Sequence, residues 1–211
     1  MTRAIRGEGL SRKRVLAAAF RLLDDSGLRI GSEQYLSRYG TRGLTTLRCQ
    51  DVLCVDETIT LQFIGKGGAQ VHRRVHDAEV AAVIDELAGS WPRARLLAYE
   101  HDGRRVALHA ADVNEYIRQN TADDITAKDF RTLHGTIVAA RSLARTGRVE
   151  SASERRRARH AAVLAAAEFL GNTPAVAQRS FIDPRIFRRY EQGVLLDLRR
   201  GAEGALRRLL E

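Results

Sequence analysis

Apolar positions recur at helical spacing near both ends of the chain and alternate with polar ones in between. From Leu10 to Ser26, the residues Val15, Leu16, Ala19, Phe20 and Leu23 share one helix face and Arg12, Lys13 and Arg21 the other, with Ser26-Gly27 as the stop. The period then drops to two. Leu44 to Leu47, Val52 to Val55, Thr58 to Ile64 and Gln70 to Val75 read as strands of a small antiparallel sheet, interrupted at Asp56-Glu57 and Gly65-Lys66-Gly67-Gly68. Asp77 caps a helix that buries Val80, Val83, Ile84 and Leu87 and stops at Trp91-Pro92. Arg95 to Tyr99 and Val106 to His109 flank Asp102-Gly103 as a short hairpin, and Asp112 to Gln119 is helical again.

The remainder predicts helices. Thr126 caps one from Ala127 to about Arg145, a polar loop runs from Thr146 to Ser153, and Glu154 opens a long, Ala-rich helix. Gly171 suits the left-handed residue after that helix, Thr173 the next N-cap and Pro174 the first helical position. Asp183-Pro184 starts a helix ending at Gly193, and Leu195 to Glu211 is a closing helical segment packed through Leu195, Leu196, Leu198, Leu206, Leu209 and Leu210. The expected class is α+β, mainly α, with a three-stranded antiparallel sheet at one edge. A chain of 211 residues can bury its core as one domain, or as one domain with a small subdomain.

Charge narrows the choice of partner. A formal net charge of +9 points to a polyanion, with nucleic acid ahead of membrane, although an Arg-favouring codon usage would give the same balance. Only Lys13, Lys66 and Lys128 are lysines among 35 basic residues, so each merits inspection. No apolar run has the length of a membrane span and no secretory segment leads the chain, which predicts an intracellular protein, cytoplasmic or nucleoid-associated in a bacterium. Cys49 and Cys54 are too few for a disulfide framework or zinc site and are expected on adjacent strands as free thiols.

Five side chains suggest chemistry. Arg29 stands between apolar neighbours in Leu28-Arg29-Ile30-Gly31, Lys66 sits on a glycine-rich tip, and Arg131 lies on a helix one turn before Gly135. Asn172 falls in the tight connection before Thr173-Pro174, and Phe181 about two turns further on. By residue type alone each also has an ordinary reading: Arg29 and Arg131 as surface arginines, Lys66 as a solubilising lysine, Phe181 as packing. A Walker P-loop is excluded at Lys66 by the glycine spacing and by the lack of Ser or Thr after the lysine. His134 reads as a helix-face residue.

Four stretches carry a resemblance. Leu28-Arg29-Ile30-Gly31 with Tyr35, Thr41 and Gly43-Leu44-Thr45-Thr46-Leu47, then Phe63-Ile64-Gly65-Lys66, Lys128-Asp129-Phe130-Arg131-Thr132 with Gly135-Thr136, and Leu170-Gly171-Asn172-Thr173-Pro174 running to Phe181 resemble the catalytic domain of the type IB DNA topoisomerases of bacteria and poxviruses. The resemblance covers roughly residues 10 to 195. It implies that Arg29, Arg131 and Asn172 hold a DNA phosphate and that Lys66 is the general acid. Tyr35, Thr41 and Lys128 would contact DNA, and residue 181 would be the tyrosine nucleophile. Phe stands there instead, reading as an exchange that traps DNA without a covalent link or as a naturally inactive relative. The implied activity is an isomerase that relaxes supercoils through a 3′-phosphotyrosyl nick in duplex DNA, as a monomer, with no metal, ATP or other cofactor. The family's N-terminal β-rich clamp domain has no counterpart before Leu10, so residues 1–211 are expected to be the catalytic domain alone. A tyrosine recombinase shares this fold and pocket, but its His-x-x-Arg box does not occur between Arg131 and residue 181. A non-catalytic DNA-binding relative is the third reading.

Overall fold

The computed structural model describes residues 2–89, 91–121 and 125–211, which divide into two compact units, residues 1–128 and 129–211. In the first, helix α1 (Thr2–Ile5) precedes α2 (Arg12–Ser26), whose Ser11 cap accepts the Arg14 amide and whose Gly27 ends it in the left-handed conformation. Strands β1 (Val52–Val55), β2 (Thr58–Ile64) and β3 (Gln70–His76) form an antiparallel sheet in that order, with Val52 opposite Leu61 and Ile59 opposite Val75. The alternation in β2 aims Ile59, Leu61 and Phe63 inward. They join a core with Leu16, Leu22 and Leu23 of α2 and with Val80, Val83, Ile84 and Leu87 of α4 (Ala78–Ala88). Each fully buried leucine adds roughly 1.5–3 kcal/mol.

Between α2 and β1 lies α3 (Glu33–Tyr39), which buries no side chain. Strands β4 (Ala98–His101) and β5 (Arg104–Ala107) form the expected hairpin, and α5 (Ala110–Asn120) follows.

The second unit is helical. Helix α6 (Ala127–Thr146) leads into it, followed by α7 (Ala152–Leu170), α8 (Pro174–Ser180), α9 (Arg185–Glu191) and α10 (Ala202–Leu210). Its core sets the small residues Ala139, Ala162 and Ala166 beside Ile182, Ile186, Phe187, Leu206 and Leu209. Small side chains on facing positions let larger ones interdigitate.

Several expectations are corrected. Leu44–Thr46 is a 3₁₀ turn, not a strand: the Thr46 hydroxyl accepts from the Gly43 amide and that of Thr45 donates to Ile30 O, so side chains compete with any ladder. Cys49 therefore lies in a second 3₁₀ turn, Cys49–Asp51, and only Cys54 is on a strand; both thiols are free. Helix α4 stops at Gly89, before Trp91-Pro92. Helix α7 starts at Ala152 because Ser151 and Glu154 form a reciprocal cap. Residues 195–201 are not helical. The Asp197 carboxylate accepts the Arg199 amide and both following guanidinium groups, holding a turn, and Leu198 is exposed. No described helix is long and apolar enough to cross a membrane.

Candidate active site

In the first unit, the chain after α2 is pinned on both sides of Arg29. Arg29 O accepts the Leu44 amide at 2.8 Å and Ile30 O accepts the Thr45 amide at 2.8 Å. Gly43 makes this docking possible, since a Cβ there would stand 2.6 Å from Arg29 O and from Gly31. Gly31 itself has a φ of +90°, in the region that favours glycine. Arg29 is half-buried, and burial lowers its pKa from the ordinary arginine value while the Tyr35 phenol nearby acts in the opposite direction. A guanidinium keeps its charge at neutral pH through such a change.

Lys66 lies on the turn joining β2 and β3, exposed, with its ammonium 5.1 Å from the centre of the Tyr35 ring. The turn has no side-chain support of its own: Gly67 and Gly68 take φ values of +75° and +77°, and Gly65 closes it by donating to Ala69 O at 2.8 Å. Arg29, Tyr35 and Lys66 are thus brought together. Thr41 is buried at 7% exposure and presents little surface to a ligand. The sequence reading passed over Tyr39 and Arg38. The Tyr39 ring stacks 5.7 Å from that of Tyr35, and Arg38 lies 5.4 Å from the Tyr39 ring. The i, i+4 spacing of the two tyrosines was the available signal.

In the second unit, Arg131 meets Leu170 and Phe181. Arg131, in the second turn of α6, is only 5% exposed. Its Nη2 donates to Leu170 O at 2.9 Å, at the carboxyl end of α7 where the helix dipole favours a cation. Its guanidinium carbon lies 5.0 Å from the centre of the Phe181 ring. Such a contact is worth about 0.5–2 kcal/mol. Asn172 follows Gly171, which turns the chain at φ +58°, and its backbone N–H donates to Ala167 O at 2.9 Å. Thr173 and Pro174 then start α8 as expected, and Phe181 ends it at 8% exposure.

The segment around residue 181 is fastened to α6 twice. A Cβ on Gly135 would stand 2.3 Å from Phe181 O, so the glycine admits this backbone rather than an outside ligand. One residue on, the Thr136 hydroxyl accepts the Asp183 amide at 2.9 Å. Lys128 is exposed at the start of α6. His134 packs its ring 6.1 Å from that of Phe169, as a helix-face residue does. No group of three or more His, Cys, Asp or Glu side chains placed to hold a metal ion occurs among the described residues.

The geometry of the second unit therefore sets a guanidinium beside the ring of residue 181, and that of the first sets a lysine on a glycine turn over the ring of Tyr35, whose phenol also acts on Arg29. Comparison with known proteins identifies the family. The chain is 25% identical over 183 residues to the DNA topoisomerase 1B of Acanthamoeba polyphaga mimivirus, a match covering 82% of this chain and 53% of that relative. It thus spans about half the length of the relative it matches. A model of the family described as eukaryotic DNA topoisomerase I, catalytic core, matches residues 1–194, and the chain belongs to that family of type IB topoisomerase catalytic domains.

Proposed function

We propose that this chain binds duplex DNA and polarises one backbone phosphate for strand cleavage, and that it stops short of the covalent step for want of a hydroxyl at residue 181. The observation that carries this reading is the Arg131 guanidinium held 5.0 Å from the Phe181 ring. A phenol in that place would lie beside a cation able to hold the phosphate it attacks.

The steps follow from the residues. Arg29 and Arg131 hold the non-bridging oxygens through charge-assisted hydrogen bonds and oppose the charge that builds in the transition state. Asn172 adds a neutral donor to the same oxygens. With tyrosine at 181, its phenol gives up its proton to water, its oxygen attacks phosphorus, the bond to the 5′ oxygen breaks, and Lys66 supplies the proton that the departing oxygen takes up. The result is a 3′-phosphotyrosyl link with a free 5′ hydroxyl. Rotation of the duplex about the intact strand followed by the reverse reaction relaxes supercoils. The exposed position of Lys66 on a glycine turn suits a group that reaches the leaving oxygen once DNA is bound. Tyr35 and Lys128 are assigned to the DNA backbone, where Lys128 gives a salt-sensitive contact.

Plasmid relaxation in EDTA without ATP, comparing this chain with Phe181→Tyr at matched DNA occupancy, tests the reading. The variant is expected to relax the plasmid and to leave a covalent protein–DNA adduct when quenched with detergent, whereas the Phe181 chain does neither. If both bind and neither relaxes, the reading is wrong.

A further inference from the structure

We propose that Arg42 is a positioning residue for Lys66, acting through a buried ion pair with Asp51. The inference rests on the assignment of Lys66 as the proton donor. Because the Lys66–Tyr35 contact is the one described side-chain contact of the tip Gly65-Lys66-Gly67-Gly68, the backbone placement of the tip is set largely at its base. Two hydrogen bonds flank that base: Gly65 to Ala69 O at 2.8 Å, and the Arg42 amide to Ile64 O at 2.9 Å. Ile64 ends β2, two residues before Lys66. The strip bearing Arg42 also carries Gly43, against which Arg29 and Gly31 close. Arg42 therefore stands where the arginine loop and the lysine turn are joined.

Its side chain anchors that junction. Arg42 Nη1 donates to Asp51 Oδ1 at 3.0 Å, with Asp51 only 5% exposed, and Asp51 Oδ2 accepts the Arg48 amide at 2.8 Å. Asp51 immediately precedes β1, whose first residue, Val52, pairs with Leu61 of β2. Backbone and side chain of Arg42 thus tie the junction to both strands at the open end of the β1–β2 pair, away from its Asp56-Glu57 turn. Removing the arginine leaves a buried carboxylate that keeps the Arg48 amide but loses its counter-charge, a strongly unfavourable state that the local chain relieves by moving. The Arg42 guanidinium is engaged by Asp51 and its amide by the strand that ends before Lys66, so its effect is exerted through the lysine.

A substrate whose bridging 5′ oxygen is replaced by sulfur isolates this role, since a thiolate departs without a proton. In the Phe181→Tyr chain, Arg42→Ala and Asp51→Asn are expected to slow single-turnover cleavage of the ordinary strand about tenfold or more, a fraction of what a general acid supplies. Cleavage of the sulfur-bridged strand and DNA affinity should stay within about threefold, Lys66→Ala should show the same selectivity, and Arg42→Lys should recover most of the rate. Equal slowing of both strands, or none, overturns the proposal. Failure of Phe181→Tyr to cleave either strand overturns it together with the functional reading. Amide exchange in the unmodified Phe181 chain tests the positioning without any chemistry. Arg42→Ala should speed exchange at Gly65 about tenfold while the α2 amides keep their protection. Loss of protection in α2 as well would mean general loosening of the unit, and would overturn the assignment to Lys66.

Discussion

Gly135→Ala turns the packing around residue 181 into a question of sign. At an open helix position, replacing glycine by alanine stabilises by about 0.5–1 kcal/mol, because glycine loses more backbone freedom on folding. In α6 the added Cβ would lie 2.3 Å from Phe181 O and 2.9 Å from Leu170 Cδ1. The leucine methyl can rotate away. The carbonyl cannot do so alone, since Phe181 donates to Ala177 O and Asp183 is held by Thr136. It must retreat by about 1 Å to restore ordinary contact. Overpacking of this kind costs about 1–3 kcal/mol, so after the helix gain the net loss is ~1–2 kcal/mol. For a unit of this size, each kcal/mol shifts Tm by about 4–8 °C, which gives a fall of roughly 5–15 °C by calorimetry. The same change in the Phe181→Tyr chain should lower relaxation more than DNA affinity, because the displaced carbonyl belongs to the residue bearing the nucleophile. An unchanged or raised Tm would refute the close approach on which this reasoning stands.

Three other outcomes are expected. Burial raises the Cys54 thiol to about 11, with Asp85 adding to the effect, so at pH 8 its alkylation by iodoacetamide should be about a hundredfold slower than that of an ordinary cysteine. Asp197 is lowered to about 2 by its bonds to Arg199 and Arg200, so its contribution is complete above the unfolded carboxyl pKa near 4 and disappears as pH falls through about 2. Carboxyl NMR should show that midpoint, and Asp197→Asn should remove that part of the pH dependence. Thr136→Val keeps the shape but deprives the Asp183 amide of its acceptor, a loss of about 1–3 kcal/mol to be read from the urea midpoint.

What the sequence disclosed depended on how far apart the interacting groups lie along the chain. The Gly-Lys-Gly-Gly turn, the Thr173-Pro174 start of α8 and the Asp77 cap are local, and each formed as read. Leu44 to Leu47 alternates like a strand, yet all four residues are buried, because the threonine hydroxyls bond backward to Gly43 and Ile30. The candidate site was legible only as motifs. That Arg131 rests on Leu170 O, that Gly135 receives the Phe181 carbonyl, and that Asp51 holds Arg42 are pairings across the fold, which periodicity cannot report. Leu195 to Glu211 has the leucines of one helix, but Asp197 bonds to Arg199 and Arg200 in a turn, and the helix starts only at Ala202.

Helix α3 buries none of its side chains, and its two stacked tyrosines stand 42% and 58% exposed. Exchange of surface residues outside the core typically alters stability by no more than about 0.5 kcal/mol. Helix α3 can therefore change its lettering while the unit beneath keeps its foldedness. Selection acting there is free to respond to whatever the helix touches, and a lineage could retune that surface one residue at a time without a compensating change in the core.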